Sequence, residues 1–163
     1  MEYRMIFTDT EWNMLMTASE VASFYISLSS PSNMFGVVKE MMASTNQIID
    51  AIRNSSGNSL VNEVASDIKR YIDQGVKIDS PLFSGAPETR EEACLTFFRD
   101  LSALLAQKVP DDAEGFKKWV YESAKKSAEA ASEGGFLGFG GEKVNTAEQD
   151  ALKKLALVLG VEA

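Results

Sequence analysis

Four carboxylates, Glu20, Glu40, Glu142 and Glu148, are the side chains of this 163-residue chain best placed by type and spacing to do chemistry. Glu20 and Glu40 fall on or beside apolar helical stripes. A carboxylate buried there without Lys or Arg acquires a raised pKa or binds a cation. The chain has no histidine and one cysteine, Cys94. The commonest general base and the usual transition-metal ligand are therefore missing, as are internal disulfides. Any bound metal would be a hard divalent cation held by carboxylate and carbonyl oxygens, such as calcium, magnesium or manganese. Against that stands the simpler reading, in which each carboxylate is solvated, capping a helix or hydrogen-bonded. Cys94 on an apolar stripe reads as a small buried hydrophobe.

A second feature is the run Gly134, Gly135, Phe136, Leu137, Gly138, Phe139, Gly140, Gly141, which holds five of the chain's 11 glycines. Three large apolar side chains in such a loop need a cover. The rest of the fold can supply it, with the aromatics folding back as a plug and the glycines adopting angles other residues avoid. A protein partner or second subunit docked on Phe136, Leu137 and Phe139 is an alternative. So are insertion into a membrane surface and an anion cradled by the N–H groups before the following helix, with Lys143 nearby.

The elements that must position these residues read as six helices without a strand. Thr8, Asp9, Thr10 and Glu11 form a capping box, with Phe7 and Trp12 spaced as a hydrophobic staple, so the first helix covers about 9–29. Its apolar residues spread around the axis, which marks a central element. Ser30 and Pro31 open a second helix over 31–54, with a stripe running from Met34 through Met41 and Ile48 to Ile52. The third covers 59–74, with Leu60, Val64, Ile68, Tyr71 and Ile72, and stops near Gly75. An irregular stretch containing Pro81, Gly85 and Pro87 then leads into a helix over 87–107. Its start is either Pro87 or the box from Thr89 to Glu92. Helices over 110–133 and 145–160 complete the set, the last opened by Asn145 and closed by Gly160.

The helix over 110–133 carries a stripe that changes along its length. Phe116, Trp119 and Val120 fill the first half, and Ser123, Ala124, Ser127, Ala128 and Ala131 the second. Small residues allow a neighbouring backbone to approach closely, and the glycine-aromatic loop is the nearest candidate. The fold expected is all-α, a single-domain irregular bundle of about six helices.

From Ser123 to Gly160, with Phe7, Thr8, Glu11, Trp12, Phe35, Gly36 and Glu40, the chain resembles an uncharacterised bacterial all-helical family carrying a GGFLGFGG motif. That resemblance implies a helical fold and no assigned activity. The turn from Gly141 to Glu148 is similar to the acidic turn before the last helix of the tellurite-resistance TerB-like domain. Glycine stands where that turn carries an aspartate. This likeness implies a metal-linked stress response.

Net charge is −8, opposed to nucleic-acid backbones and anionic membranes. No uninterrupted apolar run is long enough to cross a bilayer, and the first residues lack a signal peptide's apolar core. The expectation is a cytoplasmic, non-catalytic interaction or scaffold module with an unknown protein partner or a second copy of itself. It needs no cofactor, nucleic acid or membrane. The competing expectation is a TerB-like divalent-metal- or ligand-binding protein.

Overall fold

The first helix, α1 (Asp9–Ser29), starts where the capping box places it. Glu11 N–H donates to Thr8 Oγ1 at 3.3 Å, and Thr8 N–H donates to Glu11 Oε2 at 2.7 Å. The Phe7 and Trp12 rings meet with centroids 5.8 Å apart, closing the staple across the first turn. A computed structural model describes residues 2–29, 57–81, 83–133 and 146–163. The helix expected over 31–54 lies outside the described residues, as do the Asn145 cap and the glycine-aromatic loop.

Four more α-helices follow among the described residues: α2 (Ser59–Asp73), α3 (Pro87–Lys108), α4 (Pro110–Glu133) and α5 (Thr146–Leu159). A single 3-10 turn, Tyr3–Met5, precedes them, and no strand occurs among the described residues. The fold is all-α.

Local chemistry accounts for the ends. The Asn58 side chain caps α2 by accepting from Val61 N–H at 2.9 Å. Helix α2 closes at Gly75, whose φ of 64° is open to glycine without strain. Val76 N–H bonds back to Tyr71 O at 2.9 Å and Gly75 N–H to Ile72 O at 3.0 Å. Helix α5 ends in the same way around Gly160. Of the two possible starts for α3, the chain uses Pro87 at the first helical position. Only Val109 separates α3 from α4. It leaves helical geometry at φ −142° and ψ 58°, since a residue before proline is pushed out of the α region.

Helix α1 is buried over most of its circumference, through Trp12, Leu15, Met16, Ala18, Val21, Ala22, Tyr25 and Ile26, and leaves the face of Asn13, Glu20, Phe24 and Ser27 partly open. It touches each of the other four helices, and most extensively α4. The order of their contacts sets the direction. Ser19 meets Ser123 and Ser23 meets Ser127, so α1 and α4 run parallel. The small half of α4 therefore has α1 as a close neighbour as far as Ser127, and the glycine-aromatic loop expected there lies outside the described residues. Phe98 and Leu101 of α3, Leu60 and Val64 of α2, and Leu155 and Leu159 of α5 complete the core. Ile72, expected on the inner stripe of α2, is 56 % exposed in the helix's last turn.

Candidate functional site

Among the described residues, polar side chains from each of the first four helices converge on the N-terminal turn and the two residues that follow it. Both oxygens of Glu63, from α2, accept backbone N–H groups of the turn, Tyr3 at 3.0 Å and Arg4 at 2.9 Å. The Tyr3 hydroxyl donates to Asp112 of α4 at 2.7 Å. That bond, with burial behind it, raises the phenol's pKa above its ordinary value. Lys108, the last residue of α3, donates to Ile6 O at 3.1 Å and to Glu11 Oε2 at 2.6 Å. Its ammonium also sits 5.5 Å from the Phe7 ring centroid. The Lys108 ammonium holds the Glu11 carboxyl below its ordinary value, helped by the Thr8 amide. Beneath the turn, Trp12 Nε1 donates to Asp67 Oδ2 at 3.0 Å, and Arg70 pairs with the other Asp67 oxygen.

Asn58 extends this arrangement. Besides capping α2, its amide donates to Asp112 O of α4 at 2.9 Å. The approach requires Gly115, where an added Cβ would lie 2.4 Å from Asn58 Nδ2. A glycine inside a helix costs about 1 kcal/mol against alanine, and here the close approach of α2 and α4 explains it.

These groups fasten the turn and join helices; each acceptor named above is engaged by a donor of the chain. Sequence reasoning found Thr8 and Glu11 but missed Glu63, Asp112, Lys108, Asn58 and Gly115. Gly115 within an otherwise regular helical stripe was the one available signal.

The residues singled out from the sequence fall in different places. Glu20 is exposed and accepts from Ser80 Oγ at 2.6 Å, on the connection that crosses α1. Phe83 of that connection stacks on Phe24, with centroids 5.7 Å apart. Glu148 is only 2 % exposed, in the first turn of α5, where the helix dipole favours a carboxylate. Glu40 and Glu142 lie outside the described residues, as do Gly135, Phe136, Leu137, Gly138, Phe139, Gly140 and Gly141. Among the described residues no three Asp, Glu or Cys side chains come together as a cation site would need. Glu20 and Glu148 sit in different surroundings, one at the surface and one buried. Cys94 is fully buried, and burial pushes its thiol up to about 12. It is protonated and inert near neutral pH.

The class defined by this fold is an all-α helical bundle, and no helix among the described residues is long and apolar enough to cross a membrane. No family model matches the chain, and no curated protein or solved structure matches it.

Proposed function

We propose that this chain is a non-catalytic helical interaction or scaffold module, with a protein partner or a second copy as its ligand. The observation that carries the reading is the use made of the reactive side chains. Glu11, Glu20, Glu63, Asp67 and Asp112 each hold a donor from another part of the chain. The one thiol is buried in the core. Polar groups spent in this way build a rigid platform and leave recognition to apolar contacts, for which Phe136, Leu137 and Phe139 are the docking residues of choice. The setting proposed is the cytoplasm, without nucleic acid or membrane.

Native mass spectrometry of the wild type and the F136A/F139A double variant, each beside its urea unfolding curve, tests this. The expected result is an associated wild type and a variant that stays folded with unchanged stability but loses association. A monomeric wild type whose variant is destabilised by about 3–5 kcal/mol per phenylalanine would overturn the docking role and assign the rings to the core.

A second reading is a TerB-like protein that binds a hard divalent cation or other ligand. A mass excess removed by EDTA, and a midpoint of unfolding raised by calcium, magnesium or manganese, would support it through linkage. A mass and midpoint indifferent to both treatments would sink it.

A further inference from the structure

We draw no further inference here: the strongest candidate, the open concavity of about 490 Å³ between the start of α2 and the first turns of α4, lined by Asn58, Val61, Glu114, Lys118 and Trp119, borders residues outside the described ones, and nothing in the structure shows what covers it.

Discussion

The hydroxyl oxygens of Ser23 on α1 and Ser127 on α4 lie 2.7 Å apart in a fully buried seam. One turn earlier, Ser123 Oγ donates to Ser19 Oγ at 3.1 Å. Four serines thus pair in register between two parallel helices separated by about a hundred residues of chain. Backbone carbonyls share the same protons: Ser23 Oγ donates to Ser19 O at 3.1 Å, which leaves Ser127 to donate to Ser23, and the Ser123 proton is divided between Ser19 Oγ and Trp119 O at 3.2 Å. Polar atoms are tolerated at this depth because they are satisfied.

The seam predicts a graded response. Ser127→Ala should cost about 1 kcal/mol, the usual net worth of one hydrogen bond. Ser127→Leu should cost more, about 1–3 kcal/mol or beyond, since α1 leaves no room for the added volume. The S23A/S127A pair should cost less than the sum of its single changes, because no lone partner remains. Urea unfolding of the four variants checks the order. A leucine variant as stable as the wild type would mean that α1 and α4 do not meet here.

Gly115 and Asn58 should be coupled in sign. In the wild type Gly115→Ala must displace the Asn58 side chain, losing the α2 cap and the bond to Asp112 O, each worth about 1 kcal/mol. That outweighs the gain of about 1 kcal/mol in helix propensity. In an Asn58→Gly background the obstacle is gone, and Gly115→Ala should stabilise. Thermal unfolding of the four members of the cycle decides it. Additive effects would refute the close approach of these helices.

Glu11 sets an acid-side dependence. Its folded-state pKa lies below the ordinary value of 4.5, chiefly through Lys108. A carboxylate depressed in this way contributes its full stabilisation above the unfolded-state value. The contribution is lost as pH falls through the lower folded-state value. Stability should therefore drop below about pH 4.5, and Glu11→Gln should be less stable at neutral pH but show a shallower acid slope. Denaturant midpoints between pH 7 and pH 3 would show it, and parallel profiles for the two proteins would exclude it.

Glu63 should govern protection of the N-terminal turn. Glu63→Ala leaves the Tyr3 and Arg4 amides without their acceptor, at a cost of about 1–3 kcal/mol. Hydrogen exchange at those two amides should accelerate by roughly tenfold or more, about 1.4 kcal/mol per tenfold, while the α1 core keeps its protection. Unchanged exchange would show that the turn is held by Tyr3 and Phe7 burial alone.

Cys94 should react with a soluble disulfide reagent only at the rate of unfolding. Its thiol is buried and pushed up to about 12, so thiolate is scarce at pH 7. Rapid labelling of the native protein would contradict the burial.

Much of the helical layout is legible along the chain because helix ends are local events. Thr8 and Glu11 are three residues apart, and Gly75 and Gly160 act on carbonyls within the preceding turns. The apolar residues spread around α1 likewise announce a helix enclosed by others, and α1 does touch the other four. The partners of the candidate residues were not legible in that way. Glu20 meets Ser80, 60 residues on, and Glu63 meets the backbone of Tyr3 across the same separation. No spacing rule connects such pairs.

The sequence by itself determined that this protein is helical, that the Thr8–Glu11 box starts α1, and that glycines close α2 and α5. Those properties follow from backbone hydrogen bonds and apolar periodicity within a few turns. Only the tertiary structure decided that the small stripe of α4 receives α1, that Gly115 clears a path for Asn58, and that Glu63, Asp112 and Lys108 fasten the first turn. Direction and register between distant helices come from fitting whole side-chain surfaces together. Many residues share that fit, and no short segment records it.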